Sequence, residues 1–450
     1  DDGRVLLVDR NLDENEKKAA LANRIVDGSV KDRSLDRRGK PVEPDLGKLV
    51  ALDVRTGKPL WSKPFDFSDL TVDDRVIGQR SGIACLVKDG TVVVAGIGSI
   101  GHPYQQYQKG EFARRALYAF RTMDGRLLWG GRRNYRKRPI IVGDKVFAEP
   151  HAWNLLTGET VQSKNPLTGE TAPLNYLRGY SGCDHLLASA SSLFGNANSG
   201  GFAHYNLDEQ AGYVPLGGMA LACNTGAVPA NGVFVAPEGR SGCTCSFDIQ
   251  TSVVLYPWPK SQTWGFGARG VEPQDMLPVK QVAVNLGAPG FRTDSNGQLW
   301  IPYAGQTNMA GAFGKWIPKY KHTTAMFSYL RPETDRITNT DKPWVFSCAY
   351  HGEKELEFEM LEKGNAQYTV RLYFAEIEDI QPGDRVFDVS LQGKRVLEDF
   401  DVIGETGSRR RSLTKTFPDV TIDRKLRIGL KSQGKLPPLL CGFEAKRQAK

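Results

Sequence analysis

Short apolar segments separated by glycine-containing turns run along most of the chain. Residues 91–95 read Thr-Val-Val-Val-Ala, and residues 368–374 carry apolar side chains at alternate positions. Short apolar runs and alternation with a period of two are typical of β-strands, and the turns between them predict hairpins. One charged, alanine-rich stretch near 13–26 instead predicts a helix, with Asn11 or Asp13 as its N-cap. The pattern therefore predicts an all-β chain with one helical insertion.

One unit recurs inside this pattern. Residues 51–61 read Ala-Leu-Asp-Val-Arg-Thr-Gly-Lys-Pro-Leu-Trp, residues 119–129 keep the alanine, glycine and tryptophan, and residues 152–159 keep the first half. The unit predicts a strand, a turn whose glycine supplies a positive φ, and a return strand that ends on an aromatic side chain. Its defining positions are Ala51, Asp53, Gly57 and Trp61 in the first copy and Ala119, Gly125 and Trp129 in the second.

This unit resembles the tryptophan-docking motif of the quinoprotein-like (PQQ-type) β-propellers, in which each tryptophan packs flat between neighbouring blades. The resemblance implies that residues 1–260 form a partial propeller of roughly four to five blades, fewer than the about eight of the PQQ enzymes. A propeller hides its sheet edges by closing on itself, so we expect either a smaller ring or completion by an upstream fragment or another chain. The start at Asp1, without a methionine, favours the second expectation.

A second domain follows a predicted linker at 261–278. From 279 to 450 the alternating segments predict antiparallel strands of a β-sandwich. Residues 368–376 and 385–391 resemble the malectin-like domain, whose pattern has a strand of the type Tyr-x-Val-x-Leu-x-Phe-Ala-Glu and then Val-Phe-Asp-Val before a turn. The chain as a whole is therefore predicted to be a partial quinoprotein-like propeller followed by a malectin-like β-sandwich.

Malectin-like domains bind carbohydrate, so the resemblance implies a sugar-binding module. Aromatic faces stack on the apolar faces of pyranose rings, while a few polar groups fix the orientation of the sugar. An ordinary core position is the alternative for every such aromatic residue. The candidates for stacking on a sugar are Trp300, Tyr303, Tyr329 and Trp344.

Seven cysteines suggest disulfides, because four of them fall between 183 and 245 and two, Cys243 and Cys245, would share a strand face. We expect Cys183 and Cys223 to bridge to Cys243 and Cys245, and Cys348 to bridge to Cys441. The alternative is a zinc site of Cys183, His185, Cys243 and Cys245, but it lacks paired Cys-x-x-Cys spacing, and no metal is predicted. Disulfides would place the protein in an oxidising compartment, either periplasmic or extracellular.

The formal net charge of +8 includes a basic run at 132–138 that contains a tyrosine. Such a run would suit nucleic acid or an acidic polysaccharide. Its position between two predicted strands favours a solvated loop, and we do not expect nucleic acid as a partner. No uninterrupted apolar run is long enough to cross a bilayer.

Two functions follow from these patterns. The first is an extracytoplasmic carbohydrate-binding and scaffold protein whose partner is a carbohydrate or cell-surface glycan. The alternative is a PQQ-dependent alcohol or sugar dehydrogenase, completed by an upstream segment or partner chain, that would hold PQQ with calcium or a lanthanide. The sequence lacks the vicinal Cys-Cys pair on which many such enzymes stack the quinone, and no catalytic residue can be assigned. No cofactor is therefore predicted under the first hypothesis.

Overall fold

The computed structural model forms two compact units. The first unit comprises Asp1–Gln162, Pro173–Asp208 and Pro215–Ser261, and the second comprises Ser163–Ala172, Glu209–Val214 and Gln262–Lys450. The structure describes residues 3–23, 44–68, 73–74, 79–80, 82–96, 115–135, 137–178, 185–197, 201–216, 226–237, 252–258, 263–267, 270, 277–303, 326–331, 335–352 and 355–449. Within these ranges strands far outnumber helices, which confirms the all-β prediction.

Antiparallel sheets follow one another along the first unit. The first sheet contains β1 (Arg4–Asp9), β2 (Leu46–Asp53) and β3 (Pro59–Asp66), and is followed by the short pair β4 (Asp73–Asp74) and β5 (Gln79–Arg80). The next contains β6 (Ile83–Lys88), β7 (Thr91–Gly96), β8 (Ala116–Arg121) and β9 (Leu127–Arg132), and the next β10 (Ile140–Val142), β11 (Lys145–Ala148) and β12 (His151–Asn154). The later strands of the first unit are β15 (Leu187–Ala188), β16 (Ser192–Ala197), β17 (Gly201–Asn206), β19 (Val228–Ala230), β20 (Val233–Ala236) and β21 (Val253–Leu255). Most of β13 (Gln162–Lys164), β14 (Thr171–Pro173) and β18 (Tyr213–Pro215) belongs to the second unit.

The first strands of five of the larger sheets lie side by side in the order β1, β6, β10, β15 and β19. Each of these sheets is a meander in which neighbouring strands are also neighbours in sequence. Among the described strands, comparable packing does not join β19 back to β1. The described part of the first unit is thus an open series of sheets, and the predicted propeller is not seen as a closed ring.

Asp53 organises the turn of the first repeat copy. Its Oδ1 accepts hydrogen bonds from the backbone N–H groups of Arg55 and Thr56, at 3.0 and 2.8 Å, and from the Thr56 hydroxyl at 2.9 Å. The N–H of Gly57 closes the turn on the Asp53 carbonyl at 2.8 Å, with a φ of 68° at Gly57. These bonds lower the pKa of the Asp53 carboxyl, because they favour its charged form. The aspartate, threonine and glycine of the unit are therefore turn-forming residues.

Trp61 joins the first sheet to the next one. Its indole Nε1–H donates to the carbonyl of Thr122 at 2.9 Å, and a Cβ atom on Gly125 would lie only 2.8 Å from its ring. Thr122 and Gly125 belong to the turn of the second repeat copy. The tryptophan of one copy thus packs on the glycine of the following copy.

Trp129 repeats this contact one sheet later. Its Nε1–H donates to the carbonyl of Leu155 at 2.8 Å, and a Cβ atom on Gly158 would lie 2.6 Å from its ring. The guanidinium of Arg133 lies 6.0 Å from the Trp129 ring centroid and 5.5 Å from that of Trp153. Arg133 therefore belongs to a cation–π contact between strands, in keeping with a structural role for that part of the basic run.

The helix begins where predicted. Asp13 is the N-cap of α1 (Glu14–Ala22), and it forms a capping box with Glu16 in which the side chain of each residue accepts from the backbone N–H of the other. The helix ends before Asn23, its C-cap. The remainder of the predicted helical stretch lies outside the described residues.

From residue 277 onward, the described residues of the second unit form three sheets and two short helices. A six-stranded sheet has the order β23 (Arg292–Thr293), β24 (Leu299–Tyr303), β22 (Gln281–Leu286), β34 (Gly442–Arg447), β28 (Ala366–Phe374) and β31 (Leu413–Ile422). A four-stranded sheet has the order β27 (Leu356–Glu359), β32 (Lys425–Ser432), β29 (Phe387–Leu391) and β30 (Lys394–Phe400), and a three-stranded sheet the order β25 (Met326–Tyr329), β26 (Cys348–His351) and β33 (Leu439–Leu440). The helices are α2 (Pro343–Phe346) and α3 (Val402–Thr406).

Alternate residues of these strands build one apolar core. Val370 and Leu372 of β28 share it with Ile428 and Leu430 of β32. This is the packing that the alternation in residues 368–374 predicts. The core holds the ends of β26 and β28, where polar side chains gather.

The expected Cys348–Cys441 disulfide is not formed, because both residues are buried free thiols. Removal from water disfavours the thiolate, which raises the pKa of Cys348 to about 11 and also raises that of Cys441. Both groups are therefore protonated at neutral pH. The other expected bridges, and the alternative zinc site, depend on Cys183, Cys223, Cys243 and Cys245, which lie outside the described residues.

Candidate functional site

Two of the four aromatic candidates lie in the core of the second unit. Trp300 is 1% exposed and Trp344 is 5% exposed, and their rings meet edge to face at 5.7 Å. The Trp300 Nε1–H donates to Asp294 at 3.2 Å, and the Arg292 guanidinium covers the Trp344 ring at 4.9 Å. A buried ring cannot stack on a sugar from solvent, so these two tryptophans occupy the core positions that were the alternative for each aromatic candidate.

The two tyrosines remain accessible to different degrees. Tyr329 is 68% exposed on β25, an edge strand, whereas Tyr303 is half-buried at the end of β24 and packs against the core. Successive residues of a strand point to opposite faces, so Ser328 projects from the face of β25 opposite to Tyr329. The Ser328 face leads to a polar cluster that the sequence did not reveal.

Arg385 is the centre of this polar cluster. The buried guanidinium donates from Nε to Glu376 at 2.8 Å, from Nη2 to Glu378 at 2.7 Å and from Nη1 to His351 Nδ1 at 3.1 Å. It also donates to the carbonyl of Pro437. Charge-assisted bonds to two carboxylates fix the guanidinium plane, so every partner of Arg385 is held in place.

The hydrogen bonds determine which nitrogen of His351 carries the proton. Arg385 can only donate, so His351 Nδ1 accepts and the neutral ring carries its proton on Nε2. That Nε2 lies 2.6 Å from Ser328 Oγ, to which it therefore donates. A nitrogen that donates to the serine cannot remove its proton, so the pair does not form an activated serine nucleophile. The hydroxyl hydrogen of Ser328 is left to donate elsewhere.

Burial keeps His351 neutral. Desolvation, followed by repulsion from the Arg385 cation, lowers the pKa of His351 to about 4, although Glu378 acts in the opposite direction. Burial also raises the pKa of Glu376, against the attraction of Arg385. At neutral pH the imidazole is therefore an uncharged, fixed hydrogen-bonding group.

Glu378 connects the cluster to solvent. Its side chain is 42% exposed while Arg385 is 2% exposed, and its Oε1 lies 3.7 Å from His351 Nε2. Ser328 is also partly exposed. One side of the cluster thus presents a hydroxyl and a carboxylate, which are held by hydrogen bonds to the buried His351 and Arg385. This arrangement is suited to hydrogen-bonding the hydroxyl groups of a ligand.

Metal chemistry receives no support from the described ranges. Within them, no group of three or more His, Cys, Asp or Glu side chains is arranged to hold a metal ion. Among the helices described, none is long and apolar enough to span a membrane.

Comparison with known proteins identifies the family of part of the chain. Residues 280–439 match the model described as Malectin domain. A probable leucine-rich repeat receptor-like serine/threonine-protein kinase of Arabidopsis thaliana is 36% identical over 154 residues, which cover 33% of this chain and 14% of that protein. Malectin of Mus musculus is 24% identical over 182 residues, which cover 39% of this chain and 55% of that protein. The chain thus contains a malectin domain and spans only part of the length of these relatives.

Solved structures give weaker similarities. A β-glucuronidase of Bacteroides uniformis matches with a TM-score of 0.31 and 19% identity, over 45% of this chain and 25% of that one. The ANX2 ectodomain from Arabidopsis thaliana matches with a TM-score of 0.30 and 14% identity, over 48% of this chain and 65% of that one. Scores this low do not establish a shared overall fold.

Proposed function

We propose that this protein is an extracellular glycan-binding scaffold whose malectin domain holds the ligand at the solvent side of the Arg385 cluster. The match of residues 280–439 to the malectin domain supports the ligand class. The observation that carries the site is the rigid pair of Ser328 Oγ and the Glu378 carboxylate, both partly exposed and both bonded to buried groups. The resemblance to Mus musculus Malectin agrees with this assignment.

A neutral sugar fits the chemistry of this pair. The carboxylate accepts from sugar hydroxyls, the Ser328 hydroxyl donates to a sugar oxygen, and neither group needs to move to do so. Preorganisation of this kind lowers the entropic cost of binding. Tyr329 adds an exposed ring on the same edge strand, but it projects from the other face, so we assign it a role at the margin of the site.

We further propose that the five sheets that begin with β1, β6, β10, β15 and β19 are blades of a partial quinoprotein-like propeller that acts as the scaffold. The support is the docking of Trp61 and Trp129, each on the glycine of the following repeat copy. The function of such a scaffold is to present the malectin domain, and no redox step is assigned to it.

A glycan array probed with the full chain, followed by calorimetry with the strongest oligosaccharide, tests the proposed site. We expect Ser328→Ala and Glu378→Gln each to weaken binding about tenfold or more, since each removes a fixed hydrogen-bonding group worth about 1.5 kcal/mol. Glu398→Gln, which alters an exposed carboxylate paired with Arg395, is the matched control and should bind as the wild type does.

Two results would count against this function. If no oligosaccharide binds at millimolar concentration, the glycan assignment is wrong. If a glycan binds but both cluster variants retain wild-type affinity, the malectin domain uses another surface. Thermal unfolding of each variant shows whether a loss of binding reflects a loss of the fold.

A further inference from the structure

The docking contacts of the first unit leave one glycine without a tryptophan. Gly125 and Gly158 each lie against the ring of the preceding copy, whereas an added Cβ on Gly57 would meet no described atom within 4 Å. Gly57 has the same backbone conformation as the other two, with φ of 68° against 65° and 71°. The first copy therefore presents the same docking turn with no described ring on it.

The neighbouring carbonyl is also in the docking position. The carbonyls of Thr122 and Leu155 accept hydrogen bonds from the docked indoles. Each of these residues follows the first residue of its turn, and Val54 has the equivalent position in the first copy. Val54 and Leu60, on either side of the turn, are both exposed apolar residues. The turn thus offers a flat, apolar surface with a backbone acceptor beside it, the surface that binds an aromatic ring elsewhere in this unit.

The complementary feature lies at the other end of the series. Residues 248–256 read Asp-Ile-Gln-Thr-Ser-Val-Val-Leu-Tyr and align with residues 53–61, which places Tyr256 at the position of the docking tryptophan. Tyr256 is 68% exposed. Tyr256 directly follows β21, which pairs with β20, so the fifth sheet of the series ends on an exposed aromatic side chain.

The face beside Tyr256 is apolar across three strands. Val228, Val235 and Val254 are directly opposite one another on β19, β20 and β21, and all three are exposed. The other face of this sheet, through Phe234, packs on the preceding sheet. A sheet with apolar residues on both faces is one that is covered on both sides.

We propose that the Tyr256 face of one copy of this chain docks on the Gly57 turn of a second copy. The exposed ring and apolar face of the fifth sheet would cover the open glycine turn of the first sheet, as Trp61 and Trp129 cover the turns of the copies that follow them. Such a head-to-tail contact is heterologous and joins copies into a ring or an open series. This inference depends on the docking contacts alone and stands or falls separately from glycan binding.

Light scattering coupled to size exclusion tests this contact with the full chain at about 1–100 µM. We expect the mass to rise above that of the 49.7 kDa monomer as the concentration increases. Two variants, Tyr256→Ser and Gly57→Asn, should each weaken association about tenfold or more. Tyr256 is exposed, and asparagine tolerates the positive φ of Gly57, so neither change should disturb the fold. Gly393→Asn is the matched control, since Gly393 has a φ of 78° and an equally open Cβ position in the second unit.

The proposal is wrong if the wild type stays monomeric throughout this range, or if both variants associate as the wild type does. A wild-type monomer that binds a synthetic hairpin of residues 116–132 would show that a separate tryptophan-bearing sheet occupies the turn. That result would also overturn docking by a second copy. Circular dichroism of Gly57→Asn checks its fold, and Tyr256→Ser alone decides the matter if that variant is unfolded.

Discussion

Arg385→Leu is expected to lower the free energy of unfolding of the second unit by about 3–5 kcal/mol, the usual cost of removing one partner from a buried ion pair. Arg385 and Glu376 are 2% and 1% exposed, and their charged atoms are 2.8 Å apart. Without the guanidinium, the Glu376 carboxylate stays buried with no counter-charge, and His351 loses its donor. Hydrogen exchange of the β28 amides measures this loss within the second unit.

Two companion variants separate the buried charge from the loss of packing. Arg371→Leu removes an exposed partner of Glu444, at 3.3 Å, and should change stability by less than about 1 kcal/mol. Adding Glu376→Gln to Arg385→Leu should recover part of the loss, because a neutral amide is cheaper to bury than a carboxylate. If Arg385→Leu lowers the free energy of unfolding no more than Arg371→Leu does, the Arg385 cluster is not a rigid support for Ser328 and Glu378.

Gly125→Ala is expected to destabilise the first unit by about 3 kcal/mol or more. The φ of 65° at Gly125 costs an L-residue about 1–2 kcal/mol, and the new Cβ would lie 2.8 Å from the Trp61 ring and must displace it. Gly57→Ala should show the backbone cost of positive φ but no steric cost, since no described atom lies within 4 Å of the Cβ position of Gly57. Chemical denaturation of the two variants side by side measures the difference.

The comparison tests whether the repeat requires glycine for the positive φ of the turn or for the close approach of the tryptophan ring. A Gly125→Ala variant that loses at least about 1 kcal/mol more than Gly57→Ala supports docking. Equal losses would mean that φ alone requires glycine, and the inference about the Gly57 surface would lose its basis.

The turn of the repeat could be predicted from the sequence because the hydrogen bonds that form it join residues close together in the chain. Asp53, Thr56 and Gly57 bond to one another within one turn, so the sequence contains the whole turn. The partner of Trp61 was not readable from one copy, since it lies on the turn of the next copy. Alignment of the copies against the structure shows why glycine and tryptophan occur together.

The candidate site was not predictable from the sequence. Its members come from β25, β26, the end of β28 and the segment before β29, and only the packing of separate sheets brings them together. Glu376 stood within the recognised Phe-Ala-Glu segment, but the pattern does not show that it pairs with Arg385. Conversely, Trp300 and Trp344 were candidates because aromatic residues suit both sugar stacking and a core, and only burial separates the two roles.

Nuclear magnetic resonance of the histidine rings in the full chain is the most direct test of the account. The chain has six histidines, so selective labelling gives few signals, and His351→Gln assigns the relevant one. Titration with the oligosaccharide that binds best on the array should shift the His351 ring signals, and the dissociation constant should equal the calorimetric one. The imidazole nitrogen Nε2 of His351 lies close to both Ser328 and Glu378, so a ligand bound there changes the electric field at this nitrogen. Saturable binding that leaves the His351 signals unmoved would contradict the proposed site.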